Sequence, residues 1–578
     1  NSIGQMVSEK WFESEEQTVP VAHYKYAYDG KGNIIRSIDI FGQKCYNYEY
    51  DEGRIIRSTE SDIEVSGEII TSKELVNTVR YYYDSEDKMT RKVITYASGS
   101  EQTIYYETND DSTVVKFSAG GRTVTSHSKT DSFGRKVFDE LQIGTGFVSR
   151  QFSYAPGEVT DEHVDRAKLK SSPTTQLVSR IAFSDGRTLS YEYDAEERIT
   201  SVVETYTADG ATVSDVTVYT YDELGQLLTE TRNGTPVNTM TYDSYGNILT
   251  KNGVTYTYGD SAWKDLLTGY GEQTISYDAQ GNPTSYLGHT LTWEKGRQLK
   301  SFDNNIYTYN ANGIRTSRTV DGIKHTYILD GANILRETWG SNTLEPIYDN
   351  EESVCGIMYN EEPYYFRRNL QGDIVAIVDK NAATVARYAY DAWGVPTITQ
   401  DVSACQIATI NPYRYRGYYY DEEIGMYYLQ SRYYDPTVGR FVNADKIIGA
   451  NNDLLTYNLY VYCGNNSIIR CDKLGISWKN IWNNIKSAIR TIFNKTNGYL
   501  VSLGIDTAKI GSYFLNMYKD KNGVYHARFN CWQQYFGYND LYDFMFDIGT
   551  SMKSAKFPFN YNGKSYVLWA WKGNYINL

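Results

Sequence analysis

The sequence predicts a mainly β protein, an array of β-hairpins joined edge to edge into one long curving sheet, with a small α+β domain at its C-terminal end. Three observations carry the prediction. At 578 residues the chain exceeds the size at which a single hydrophobic core stops growing, which favours repeated units. Tyrosine outnumbers phenylalanine 56 to 19, and tyrosine suits a pleated, half-buried surface where its hydroxyl can meet water. A hairpin signature recurs along most of the chain: an aromatic strand ending in Tyr-Asp, a short turn containing glycine, then a polar and an aliphatic residue.

Tyr28-Asp29 leads to Gly32-Asn33-Ile34, Tyr221-Asp222 to Gly225-Gln226-Leu227, Tyr242-Asp243 to Gly246-Asn247-Ile248, and Tyr277-Asp278 to Gly281-Asn282; Tyr309-Asn310 with Gly313-Ile314 is a variant. The aspartate can accept hydrogen bonds from backbone N–H groups ahead of it, and the glycine supplies the positive φ that closes a hairpin. The flanking strands alternate, as in Tyr24-Lys25-Tyr26-Ala27-Tyr28 and Val254-Thr255-Tyr256-Thr257-Tyr258, which puts aromatic rings on one face and small or polar groups on the other. One hairpin cannot bury such a face; stacking hairpins buries it and pairs the open backbone edges.

The copies are uneven. The turn after Tyr50-Asp51 is shortened at Gly53, Tyr83-Asp84 has no glycine behind it, and residues 109–130 hold no copy, so these stretches are expected to be bends or longer loops. The tyrosines and aspartates of the repeat are assigned to strand packing and turn closure, not to catalysis.

A net charge of -14 argues against nucleic acid as a partner of the shell, because phosphate binding needs a basic face. The cysteines (Cys45, Cys355, Cys405, Cys463, Cys471, Cys531) show neither C-x-x-C nor metal-ligand spacing, and no metal or other cofactor is expected. No apolar run reaches bilayer length; even residues 499–518 are broken by Asp506, Lys509 and Asn516, so no transmembrane segment is expected. The first residues, from Asn1 to Gln17, lack a basic start followed by an apolar stretch and read as a trimmed or processed end, not a signal peptide.

From residue 364 the motifs become denser. Tyr365-Phe366-Arg367-Arg368-Asn369-Leu370-Gln371-Gly372-Asp373-Ile374 and Tyr388-Ala389-Tyr390-Asp391-Ala392-Trp393-Gly394 are followed by Arg416-Gly417-Tyr418-Tyr419-Tyr420-Asp421, Gly425-Met426-Tyr427-Tyr428-Leu429, Arg432-Tyr433-Tyr434-Asp435-Pro436 and Gly439-Arg440-Phe441. This series resembles the core of RHS/YD-repeat proteins, and the resemblance extends more weakly back to about residue 20. It implies a β-sheet spiral forming a hollow shell closed at one end by the core, and in that family the shell holds a C-terminal toxin inactive until delivery. The implied divisions are a YD-repeat shell over 1–363, an RHS-associated core over 364–475 and an effector-like α+β domain over 476–578.

Leu459-Tyr460-Val461-Tyr462-Cys463-Gly464-Asn465-Asn466-Ser467 resembles the family stretch before the shell–toxin junction, which here reads Asp472-Lys473-Leu474-Gly475-Ile476 where relatives carry Asp-Pro-x-Gly-Leu. Many relatives cut themselves after that leucine with two aspartates, one activating water and one donating a proton. By resemblance the pair is Asp445 and Asp472, and the scissile bond is Ile476–Ser477. Lys473 in place of proline, Ile476 in place of leucine and Lys446 after Asp445 depart from the family pattern, and a turn-capping role for both aspartates competes with cleavage.

Beyond Gly475 the repeat stops. Ser477 as N-cap, followed by Trp478, Ile481, Trp482, Ile485, Ile489, Ile492 and Phe493, predicts an amphipathic helix, and residues 538–547 predict another. Alternating aromatics over 557–571 around Asn562-Gly563 predict a hairpin. The stretch is similar to a domain of unknown function that follows repeat regions in Gram-positive surface and toxin proteins. Its notable polar residues are His526, Arg528, Cys531, Asp543 and Asp547; Cys531 with His526 is a nucleophile–base candidate, set against a purely structural role. The halt at Leu578, directly after an apolar run, reads as a missing closing element.

Together these readings predict a secreted or cell-surface bacterial protein that encloses, tethers or delivers its own C-terminal effector in interbacterial competition. An immunity protein, a secretion machinery and a surface glycan are its expected partners. Two alternatives stand beside it: an adhesion protein in which the array is a spacer, and a toxin enzyme residing in 476–578.

Overall fold

The computed structural model describes residues 4–472 apart from 157–173, 446–453 and the loop positions 15, 68, 110–111, 120–121, 132, 144–145 and 350, together with the strands beyond 478 named below. The recurring turn has the chemistry its sequence announces. Asp29 Oδ1 accepts the backbone N–H groups of Lys31 at 2.8 Å and Asn33 at 2.9 Å, the Asp29 N–H donates to the Asn33 carbonyl at 3.0 Å, and Gly32 sits at φ 93°. The pairing shifts by one residue there, so Tyr28 faces Ile34: a tight turn followed by a bulge. Asp243 and Asp278 build the same turn. After Tyr83-Asp84, where glycine is missing, Asp87 takes the left-handed position at φ 64° and the bonds to Asp84 are retained.

The hydroxyl of the repeat tyrosine has a fixed task that its abundance alone did not reveal. Tyr50 donates to the Ile34 carbonyl, Tyr221 to Ile199, Tyr242 to Leu227, Tyr258 to Ile248, Tyr348 to Ile334 and Tyr390 to Ile374, at 2.5–3.0 Å. Each acceptor is the aliphatic residue that ends the preceding turn, so each of these hairpins is stapled to its neighbour, and phenylalanine could not replace the donor. Tyr242→Phe is expected to cost about 1 kcal/mol, the usual worth of one such bond, read as a lowered urea midpoint with unchanged slope.

Strands from Ser8–Trp11 to Gln273–Thr274 each pair antiparallel with the next, and a 14-stranded run continues from Ser276–Tyr277 to Pro396–Asp401. Residues 109–130 were expected to be bends or loops and instead carry regular strands, Ser112–Ala119 and Arg122–Thr130. Val115, Phe117 and Val124 are buried there, and their β-branched and aromatic neighbours hold the pairing without the turn motif.

The ribbon coils back on itself. Lys92 Nζ lies 2.6 Å from Asp330 Oδ2, Lys136 Nζ 2.5 Å from Glu351 Oε1, and Arg150 Nη1 donates to the Arg368 carbonyl at 2.9 Å. One apolar cluster joins Val79, Ile94, Phe117 and Leu141 of the early strands to Leu335, Ile347, Tyr365 and Val378 of the late ones. The late strands present their other face, with Tyr327, Leu344, Phe366 and Ile377, to Ile407, Tyr413 and Tyr419, so this part of the sheet is buried on both sides.

Residues 392–445 and 454–468 form the centre. Trp393, Tyr415, Tyr427, Tyr434 and Tyr462 pack into one cluster with Ile181, Ile199, Leu227, Ile248 and Tyr307 of the surrounding strands. The segment 458–467 also reads the turns of the wall directly. Asn466 donates to the Gly225 carbonyl, Asn465 to Gly246 and Tyr460 to Gly281, each at 2.7 Å, which satisfies carbonyls that would otherwise be buried without partners. Gly281 has a positional reason as well: a Cβ there would run into the Tyr460 hydroxyl and the Trp263 ring.

Beyond the centre, the helix predicted from Trp478 to Phe493 is contradicted at its start, where Lys479–Asn480 is a short strand paired with Arg470–Cys471. A backbone already engaged in a ladder cannot also close helical bonds; the rest of that segment, and the helix predicted over 538–547, lie outside the described residues. The predicted hairpin is present: Ser554–Tyr561 pairs with Lys564–Trp571 in register around Asn562-Gly563. The remaining described strands are Phe514–Lys519, Tyr525–Asn530 and Tyr575–Asn577.

Candidate functional site: an arginine between two aspartates

The two aspartates singled out in the sequence meet. Asp445 follows the strand Arg440–Phe441, and its N–H donates to the Leu459 carbonyl at 2.9 Å. Asp472 follows Arg470–Cys471, is fully buried, and donates its N–H to the Tyr418 hydroxyl at 3.0 Å. Arg432 lies between them, with Nη2 2.9 Å from Asp445 Oδ2 and 3.2 Å from Asp472 Oδ2.

Arg432 is itself held. Its Nη1 donates to the Leu459 carbonyl at 3.1 Å, and its guanidinium plane lies 3.4 Å from the Phe441 ring centroid. Burial pulls its pKa below the ordinary arginine value, while the two carboxylates oppose that pull. A carboxylate pair can divide acid and base work, and here a single guanidinium nitrogen, Arg432 Nη2, contacts both members. Burial pushes the thiol of the neighbouring Cys463 well above the usual range, which works against its thiolate form.

Sequence reasoning found both aspartates and missed Arg432. The signal was present in Arg432-Tyr433-Tyr434-Asp435-Pro436, where the aromatic run drew attention to packing. Lys473, Ile476 and Ser477, and with them the expected scissile bond, lie outside the described residues. His526 is in Tyr525–Asn530, opposite Tyr518 and Asn577 in register; its side chain and the whole of Cys531 lie outside the described residues, so their proximity is not defined. Among the described residues no group of three or more His, Cys, Asp or Glu side chains could hold a metal ion, and no helix is long and apolar enough to cross a membrane.

A hairpin ribbon coiled around a tyrosine-rich centre, with turns closed by aspartate and strands stapled by tyrosine, defines a shell protein of the YD-repeat class. Residues 174–469 match the Teneurin YD-shell family model, and the chain belongs to that family. Residues 508–577 match a domain of unknown function, DUF4474. The chain is 37% identical over 271 residues to the tRNA3(Ser)-specific nuclease WapA of Bacillus spizizenii, covering 44% of this chain and 12% of that protein. It is 23% identical over 451 residues to the double-stranded DNA deaminase toxin A of Burkholderia cenocepacia, covering 72% of this chain and 29% of the relative. The chain therefore spans a small part of the curated relatives it matches. The crystal structure of TcdB2-TccC3-Cdc42 superimposes with a TM-score of 0.61 at 17% identity, over 83% of this chain and 26% of that one, and shares the fold. The RHS/YD-repeat shell reading of the sequence and its mainly β architecture are borne out.

Proposed function

We propose that this chain is the closing end of a polymorphic-toxin shell that tethers a C-terminal effector over 476–578 and releases it by cutting its own backbone between Ile476 and Ser477. The single observation that carries the reading is the meeting of Asp445 and Asp472 on buried Arg432, four residues before the predicted cleavage position. The toxin name of the Burkholderia cenocepacia relative and the nuclease name of the Bacillus spizizenii one support the setting of competition between bacteria, and a secreted or surface location goes with that setting. The division at 363/364 and 475/476 rests on the motif density of the sequence, and the effector's chemistry, including any role of Cys531 and His526, belongs to the same proposal. An immunity protein would be needed by a cell that makes such an effector; a secretion machinery and a surface glycan remain candidate partners on the same terms.

In the proposed step one aspartate takes a proton from water as it attacks the Ile476 carbonyl carbon, the C–N bond to Ser477 breaks, and the other aspartate donates a proton to the departing amine. Intact mass measured after denaturation tests this. Two species corresponding to 1–476 and 477–578 are expected, replaced by one full-length species in Asp472→Asn and in Asp445→Asn. A single full-length mass for the unaltered chain, unchanged by either substitution, would rule the cut out and leave the shell as a tether only.

A further inference from the structure

A cavity of about 410 Å³ lies between the strands Thr188–Tyr193 to Ala211–Tyr221 and the late strands Glu362–Arg368 to Thr384–Tyr390. Its volume falls within the range of small-molecule sites, and its lining mixes tyrosine rings with arginines. Arg187, Arg232, Arg367, Arg387 and Arg416 line it, together with Glu204, Asp215, Asp373 and Asp391.

Three of these cations, Arg187, Arg367 and Arg387, gather around one aspartate, Asp185. Asp185 lies 2.8 Å from Arg367 and 3.8 Å from both Arg187 and Arg387, and Glu204 lies 2.5 Å from Arg187. Three guanidinium groups thus share two carboxylates. Burial, followed by repulsion from the other arginines, pulls Arg387 below the ordinary arginine value; burial also lowers Arg367, with Arg187 adding to the effect.

The donors are also incompletely used. The side chains of Arg367 and Arg416 are 5% and 2% exposed, and the Nε groups of both are buried without a hydrogen-bond acceptor in the protein. Arg416 adopts a left-handed backbone, φ 57°, which an arginine takes only when its surroundings hold it there; the Asp373 carboxylate accepts its N–H at 2.8 Å. Three guanidinium groups that share two carboxylates at the edge of a cavity favour an anionic acceptor from outside the chain.

We propose that this cavity binds a small ligand that presents a carboxylate or phosphate oxyanion on a flat apolar body. The oxyanion lies among Arg187, Arg367 and Arg387, in bonds of the planar-fork type, and the flat body packs against the tyrosine rings. Nothing in this assignment depends on self-cleavage or on the nature of the effector.

The test uses the full chain with four probes: phenyl phosphate, 4-bromobenzoate, inorganic phosphate and the neutral benzamide. A saturable rise in Tm is expected with phenyl phosphate or 4-bromobenzoate and none with benzamide; inorganic phosphate alone binds more weakly than phenyl phosphate. Whichever of the two aromatic probes binds tighter identifies the oxyanion. In crystals soaked with 4-bromobenzoate the anomalous bromine signal is expected inside the cavity. Arg387→Gln, which removes the least buried of the three cations, is expected to weaken binding about tenfold, the equivalent of one charge-assisted hydrogen bond. Val202→Trp fills the cavity and is expected to abolish binding even if Arg387→Gln does not fold. No saturable effect of either aromatic oxyanion, an equal effect of benzamide, a bromine site elsewhere, or binding that survives Val202→Trp would overturn the proposal.

Discussion

Asp421→Asn is expected to destabilise the centre by about 3–5 kcal/mol, because it strips the counter-charge from a buried cation and leaves the cation in place. Asp421 is fully buried and holds Arg315 through Nη1 at 2.5 Å and Nη2 at 3.0 Å, and Arg318 through Nη1 at 3.0 Å. Arg315 is boxed in by the rings of Tyr307, Tyr327, Tyr419 and Tyr428, at 4.3–5.6 Å, so no water can replace the lost carboxylate. Burial works against its charge, yet Asp421 and the tyrosines raise its pKa well above the ordinary value. The pair bridges the wall strand Arg315–Val320 to the central strand Tyr419–Asp421, so its loss separates wall from centre. Urea unfolding followed by tryptophan fluorescence measures the cost. The double substitution Arg315→Met with Asp421→Leu is expected to recover much of it, since an apolar pair needs no charge compensation, while Arg318 keeps Glu423 at 2.8 Å.

Trp393→Ala is expected to cost a further 3–5 kcal/mol, roughly, by opening a large cavity in the centre. Trp393 is fully buried in the cluster where wall and centre meet. Its backbone N–H donates to Asp391 Oδ1 at 3.0 Å, its backbone carbonyl accepts the Tyr434 hydroxyl at 2.7 Å, and the Lys251 amine lies 5.4 Å from its ring. The opposing surface is Gly439, where an added Cβ would stand 2.9 Å from the indole, so the ring has no room to shift and the neighbours little freedom to collapse. Trp393→Phe keeps most of the buried area and is expected to lose about half as much, measured as the change in urea midpoint.

The parts of this fold that were legible in the sequence are those set by short-range chemistry. The turn at Asp29, Gly32 and Asn33 can be read from five consecutive residues because one carboxylate, one positive φ and one bulge are all local. Hairpin strands around Asn562-Gly563 follow from the same logic. Residues 109–130 were misread because they lack the turn motif, whereas their β-branched and aromatic residues suit strands and Val115 and Phe117 are buried with residues more than two hundred positions later. The tyrosine staple was half visible: the abundance of the residue could be seen, but its acceptor lies one hairpin back. At the site, Asp445 and Asp472 could be placed by resemblance, whereas Arg432 emerged only when three segments were brought together. Trp478 to Phe493 has helical spacing, but Lys479–Asn480 finds a ladder partner in Arg470–Cys471, and tertiary pairing outweighs the periodicity there.

The hairpin ribbon coils until early strands lie against late ones around a buried centre. A zero-length carbodiimide crosslink, which joins an amine to a carboxylate only in contact, tests this directly when the linked peptides are identified by mass spectrometry. Lys92 joined to Asp330 and Lys136 joined to Glu351 are expected, alongside the neighbouring-strand control Lys44 joined to Asp62, whose atoms are 2.8 Å apart. Formation of the control link with neither long-range link would contradict the coiled arrangement.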